Sequence, residues 1–192
     1  MKHKPLIAVV CGSFSPDSRT RVLLNAIARA VSREIPAQLQ YVELADLTPE
    51  IGRALSKKEL SISAMASLGT IEDADALIVG APVFRGGLPG LFKHLFDLID
   101  QRALEGKPVL LAATGGSDRH ALVLDHQWRP LFAFFQALTL PVGVYATPAD
   151  IQHGAITSPA LAERISLAVR LALPSLLTIA NRDRLDRVVD FN

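Results

Sequence analysis

The chain has 192 residues, 49% of them hydrophobic and 20% charged, with a formal net charge of +1. That length suits one domain with a sizeable core, and the absence of a basic run with interleaved aromatics argues against nucleic acid as the main partner. The apolar runs are about a strand long, short of the ~18 residues of a membrane span. The run Leu6–Cys11 is too short for the core of a signal peptide, so a cytoplasmic protein is expected. The single cysteine, Cys11, excludes an internal disulfide and a cysteine-based zinc cluster. At the end of an apolar strand it reads as a small core residue rather than a nucleophile.

Leu6–Val10 is a continuous apolar strand followed by a small, hydroxyl-rich loop. A helix then starts near Ser18 or Arg19 and runs to about Arg33, with Val22, Leu23, Ala26, Ile27, Ala30 and Val31 at helical spacing. Gln38–Leu44 alternates apolar and polar residues, as an edge-side strand does. Asp46–Lys58 holds Pro49 and Gly52 and reads as irregular, and Ser61–Leu68 as a short helix. Ala76–Gly80 is the next buried strand; a glycine- and proline-rich loop leads from it to a helix presenting Leu91, Leu95, Leu98 and Ile99. Val109–Ala113 is another buried strand, and Thr114–Ser117 is its loop. A helical region of about Asp118 to Leu138 contains Pro130, which has no N–H to give the carbonyl of His126. A kink or π-type bulge is expected near His126–Pro130. Val142–Ala146 is the last strand, Ile151–Pro159 a loop, and Ala160–Leu177 a final helix. Residues 1–178 form one domain in this reading, and 179–192 a charged tail that is frayed or used in an oligomer contact.

Strands alternating with helices, and strands apolar throughout, predict an α/β fold with a parallel sheet covered on both faces. Five strands fit the flavodoxin-like, doubly wound order 2-1-3-4-5. In that order the loops after strands one, three and four meet beside the switch point where ligands bind. The first offers Ser13, Ser15, Ser18 and Thr20 as hydroxyl donors and Arg19 as a fixed charge, all before a helix N-terminus that favours an anion. The second, Ala81–Gly87, has little side-chain bulk after Arg85, so its backbone can approach a planar ligand. The third, Thr114-Gly115-Gly116-Ser117, offers a surface for a ring. Taken singly, each loop also fits a plain turn or a helix cap. Together, a phosphate at one end and a flat hydrogen-bonding ring at the other describe FMN. A dinucleotide fingerprint, a P-loop and a nucleophile elbow are all missing from these loops. The histidines make no metal pattern, since His120 and His126 do not share a helix face, so no metal is expected.

GSFSPDSR with Thr20, then APVFRGGLPGLFKHLFDLI, then ALEGKPVLLAATGG with His120 beyond it resemble the NAD(P)H-dependent FMN reductase family. The likeness runs from about Leu6 to Leu176 and is nearest to the flavin reductases of two-component alkanesulfonate and methanesulfonate monooxygenases. It implies an oxidoreductase that passes hydride from NADH or NADPH to FMN and supplies reduced FMN to a monooxygenase in sulfur assimilation. It implies Ser13, Ser18, Arg19 and Thr20 at the FMN phosphate, Pro82, Val83, Phe84 and Arg85 along the isoalloxazine edge, and Thr114, Gly115, Gly116 and Ser117 at the pyrimidine side. It also implies a homodimer or homotetramer with the His126–Pro130 helix at an interface. Two departures stand out: Ser15 or Arg21 where the family often has Arg or Asn, and Phe84 where it commonly has Tyr.

Hydride transfer between two cofactors needs no protein acid or base, so no catalytic side chain is expected. A backbone N–H of Phe84 or Arg85 is expected near flavin N5. Arg85 is expected to offset charge on the reduced ring, to meet a nicotinamide phosphate, or to be a solvated loop charge. His120 and Asp125 are expected on the helix surface, and His126, Gln127 and Trp128 at an interface. The alternatives on the same fold are an FMN-containing quinone, azo or chromate reductase and a flavodoxin-type electron carrier. The carrier is disfavoured because the second loop carries Arg85 and no carboxylate.

Overall fold

The computed structural model describes residues 4–181. Strand β1 (Leu6–Cys11) lies between β2 (Gln38–Glu43) and β3 (Ala76–Pro82), and β3 pairs with β4 (Pro108–Thr114), every pairing parallel. The order β2-β1-β3-β4-β5 is the flavodoxin-like order expected. Alternate residues of each strand face opposite ways. Ala8, Val10, Leu77, Val79, Leu111 and Ala113 enter one core, while Ile7, Val9, Ile78, Leu110 and Ala112 enter the other.

Helices α1 (Arg19–Glu34) and α6 (Pro159–Ala180) cover the second core. The first lies under α2 (Leu44–Ile51), α3 (Ile62–Asp73) and α4 (Gly90–Asp97), together with the segment after β4. Helix α2 occupies part of the stretch expected to be irregular. Pro49 lies inside it, but Leu44, Leu47 and Ile51 form a buried stripe, and that burial outweighs the hydrogen bond proline cannot make. Helix α3 extends five residues beyond Leu68, to Asp73, and buries Ile71.

The helical region after β4 is in pieces. A 3₁₀ turn at Asp118–His120 precedes a π-helix at Leu124–Trp128, in which the Arg129 N–H reaches the Leu124 carbonyl. Helix α5 (Arg129–Phe134) follows. The bulge expected from Pro130 is therefore present, just before the proline. Trp128, expected at an interface, is instead fully buried in the chain's own core, 5.3 Å from Phe92 between ring centroids.

The fifth strand is split. β5 (Leu138–Thr139) and β6 (Val144–Ala146) both pair with β4, at its start and its end. Pro141 cannot donate to a ladder, and the chain bulges between the two pieces. The freed carbonyls find arginine donors: Arg129 gives one hydrogen bond to Leu140 (2.9 Å) and one to Pro141 (2.8 Å), and Arg164 gives one to Gly143 (3.0 Å). The segment from Ile151, expected to be a loop, begins with an antiparallel hairpin of β7 (Ile151–Gln152) and β8 (Ala155–Ile156). Helix α6 continues to Ala180 and buries Ile179, so packed chain extends past the boundary expected at 178. The tail from residue 182 lies outside the described residues. Among those described, no helix is long and apolar enough to cross a membrane.

Candidate active site

The loops after β1, β3 and β4 open at the carboxyl edge of the sheet into one cleft of about 630 Å³. That volume is in the range of small-molecule and cofactor sites. Ser13, Ser18, Arg19, Thr20, Pro82, Val83, Phe84, Thr114, Gly115 and Gly116 all line it. Of the residues expected in the site, Arg85 and Ser117 are outside that lining.

The first loop is held by its own polar groups. The Ser15 N–H reaches the Ser13 hydroxyl at 3.2 Å, and the Ser18 hydroxyl caps α1 by accepting from the Arg21 N–H at 3.1 Å. The loop has no side chain at Gly12 because a Cβ there would lie 2.3 Å from the Phe92 ring. Thr20 is buried, and its hydroxyl meets that of Thr114 at 2.7 Å. These two residues cross-link the first and third loops beneath the cleft. Cys11 is also buried, and burial pushes its thiol up to about 12. It is a core residue, as read from the sequence.

The second loop is a tight turn. Phe84 and Gly87 exchange both N–H···O bonds at 3.0 Å, with Arg85 (φ 51°) and Gly86 (φ 83°) at the tip. Positive φ at both tip residues is the signature of a type I′ turn. The Phe84 N–H, one of the two groups expected at a ligand edge, is thus donated to Gly87 within the turn. The base of the turn is tied to the third loop by Val83 N–H to Thr114 carbonyl at 2.7 Å. Its exit is tied to the π-helix by Leu88 N–H to Gln127 Oε1 at 2.9 Å. Gly87 packs so closely there that a Cβ would lie 2.7 Å from the Gln127 oxygen. Gln127, expected at an interface, thus holds the second loop from within the same chain.

In the third loop a Cβ on Gly115 would lie 1.9 Å from the Tyr145 hydroxyl, which donates to the Ser117 carbonyl at 2.7 Å. Gly116 has nothing within 4 Å of the position its Cβ would take, so its face opens on the cleft. Of the two residues expected to support this loop from the helix surface, His120 is half-buried and Asp125 is exposed and paired with Arg129 at 2.7 Å.

Sequence reasoning missed two parts of the site. Phe14 packs on Phe84 with 5.5 Å between ring centroids, joining the first and second loops at the cleft. The β7–β8 hairpin adds Ile151, His153 and Gly154 to the lining, with Pro148 from the segment before it. Phe14 stood in the quoted motif, but its apolar ring carried no phosphate chemistry. The hairpin gave no periodic signal.

Residues 5–152 match the family model for NADPH-dependent FMN reductase. The chain is a member of that family. As a member it is an NAD(P)H-dependent FMN reductase with FMN and nicotinamide as its cofactor pair. The reductase is 56% identical over 169 residues to an NADH-dependent FMN reductase SfnF of Pseudomonas fluorescens, covering 88% of this chain and 90% of that one. It is 50% identical over 169 residues to an FMN reductase (NADPH) of Pseudomonas aeruginosa, with the same coverage. Among solved structures, the apo form of the NADH:FMN oxidoreductase EMOB superposes with a TM-score of 0.80 at 25% identity, covering 89% of this chain and 90% of that one.

The residues present fit FMN. The α1 N-terminus, four hydroxyls and Arg19 suit a phosphate, and the open glycine face at Gly116 with the flat turn at Phe84–Gly87 suits a ring. Among the described residues, no group of three or more His, Cys, Asp or Glu could hold a metal ion.

Proposed function

We propose that this reductase takes FMN as an exchangeable substrate and supplies the reduced flavin to a monooxygenase acting on alkanesulfonates or methanesulfonate in cytoplasmic sulfur assimilation. The observation that carries the reading is the convergence of three sheet-edge loops on one cleft, with hydroxyls and a helix N-terminus at one end and glycine-lined backbone at the other. The sulfonate link draws on the sequence likeness, and the relatives at 46–56% identity named NADH-dependent FMN reductase SfnF or SfnE agree with flavin as the acceptor.

In this reading Ser13, Ser18 and Arg19 bind the phosphate, and Thr20 fixes the floor beneath it through Thr114. Pro82, Val83 and Phe84 line the ring edge, and Arg85 presents its N–H there. Thr114, Gly115 and Gly116 form the pyrimidine side, with Ser117 setting the loop through its carbonyl. When bound, FMN supplies the N5 acceptor for hydride from nicotinamide C4. The protein's part is orientation and fixed hydrogen bonds, which lower the entropic cost of bringing two rings together.

The reductase is a homodimer or homotetramer in this reading, with the His126–Pro130 segment at a subunit contact. An apolar groove lined by Leu88, Phe96, Gln127, Pro130, Leu131 and Phe134 runs beside it, and Phe134 is 65% exposed.

The test is direct. Purified protein is expected to be colourless and to oxidise NADH or NADPH only when FMN is added. A yellow protein that reduces quinones without added flavin would support the quinone-reductase alternative. Absence of nicotinamide oxidation under both conditions would overturn the flavin-substrate role.

A further inference from the structure

We infer that the β7–β8 hairpin forms part of the phosphate subsite and that His153 contacts the FMN phosphate, making the reductase selective for FMN over riboflavin. The inference rests on the cleft being the FMN site. It adds a ligand contact from the turn of the hairpin, which lies just beyond the family match ending at residue 152.

Three observations carry it. First, the hairpin is at the phosphate end. It packs against α1, and the Arg19 Nε donates to the Ile151 carbonyl at 3.2 Å. His153 and Gly154 line the same cleft as Ser13, Ser18 and Arg19. Second, the two-residue turn holds His153 at φ 48° and Gly154 at φ 73°. Positive φ at both positions makes it a type I′ turn, and histidine, with Asn and Asp, is among the non-glycine residues that adopt this backbone most readily. The turn therefore carries an imidazole at its tip, on the lining of the cleft. Third, the hairpin is firmly mounted. Ile151 is buried, the Asp150 carboxylate accepts from both the N–H and the hydroxyl of Thr147 at 2.8 Å, and the Thr157 N–H returns to the Asp150 carbonyl at 2.9 Å. A fixed base lets the tip present an imidazole N–H to an anion. Asp17 and Arg19 are the charged residues that share the cleft. A second donor opposite Arg19 helps offset the repulsion between Asp17 and a phosphate.

The experiment measures dissociation constants for FMN and riboflavin by flavin fluorescence, using the full-length protein and its His153→Asn and His153→Gly variants. Both replacements accept the left-handed backbone, so the turn is kept, and His153→Gly is expected to melt no lower than the parent. The expected result is a roughly tenfold weaker FMN affinity in both variants, with riboflavin affinity unchanged. Equal weakening of both flavins, or no change in either, overturns the assignment while leaving the FMN site in place. A parent protein that binds neither flavin overturns both this inference and the reading beneath it.

Discussion

The two ends of the cleft are built from different materials. At the end proposed for the ring, the surface offered is backbone, and it is locked. Phe84 and Gly87 close a turn on themselves, Val83 is tied to Thr114, Leu88 is tied to Gln127, and Gly115 lies against Tyr145. At the end proposed for the phosphate, the groups are side chains: Arg19 and His153 are exposed and Ser18 half-buried, above the buried Ser13 and Thr20. A planar ring is recognised by shape, so the main chain must be fixed to within a fraction of an ångström. A phosphate is recognised by charge and by hydroxyl donors that can rotate. Damage at the ring end is therefore expected to be steep and indifferent to the phosphate. Damage at the other end should be graded and felt by FMN alone.

The largest effect is expected from Gly115→Ala. The new Cβ would lie 1.9 Å from the Tyr145 hydroxyl, so the third loop has to move. Overpacking of this kind costs about 1–3 kcal/mol, read as a lower melting temperature, and displacement of the loop should remove most FMN binding. Tyr145→Phe in the same chain deletes the clashing atom, leaving the ring carbon at 3.0 Å as the nearest neighbour. Partial recovery of binding in the double variant is the expected outcome. No recovery would mean that the loop is not set by this contact.

Gln127→Leu comes next. It keeps the side-chain volume but removes the acceptor of the Leu88 N–H, a loss of about 1–3 kcal/mol when a buried donor is left unpaired. FMN and riboflavin should weaken together, by about tenfold, because the ring end is shared by both. Weakening confined to FMN would collapse the distinction between the two ends.

Thr20→Val should be milder still. The change strands the buried Thr114 hydroxyl and is expected to cost about 1–2 kcal/mol of stability in a denaturant titration. Replacing both threonines by valine should recover part of that loss, since two matched apolar groups leave nothing unpaired. A double variant worse than the sum of the two singles would show that one of these hydroxyls meets the ligand directly.

The sequence carried the ring end better than it carried its surroundings. β1, β3 and β4 are continuous apolar runs because both faces of a central parallel strand are buried, and that pattern needs no tertiary information. The glycines of the second and third loops were visible for the same reason: a turn and a ring-sized surface both demand them. What failed depended on partners distant in sequence. Val142–Ala146 reads as one strand, yet Pro141 and Gly143 split the edge and arginines from two helices satisfy the gap. Ile151–Ile156 has no apolar alternation, and its turn lacks the usual Asn-Gly pair, so the hairpin reads as loop. Trp128 reads as an interface residue, although the π-helix turns it into the core. The pairing of the Phe84 N–H with Gly87 is likewise invisible in the sequence.

The smallest expected effect lies at the base of the hairpin and sharpens the contrast from the phosphate end. Partial burial pushes the Asp150 carboxyl up, but the hydrogen bonds from the Thr147 N–H, the Thr147 hydroxyl and the Ser158 side chain together outweigh it and hold the group below its ordinary value. A carboxylate whose folded value is depressed adds stability that is fully present above its unfolded value of about 3.9 and disappears as pH falls through the folded one. Asp150 is half-exposed, so solvent screens much of the gain. Asp150→Asn should therefore lower the melting temperature only slightly at pH 7, and the gap to the parent should close as the pH drops below about 4. A gap that stays constant from pH 7 to pH 3 would place the effect in packing. Because this carboxylate mounts the hairpin and not the ring-end loops, Asp150→Asn should also loosen FMN while sparing riboflavin, opposite to the behaviour expected of Gln127→Leu.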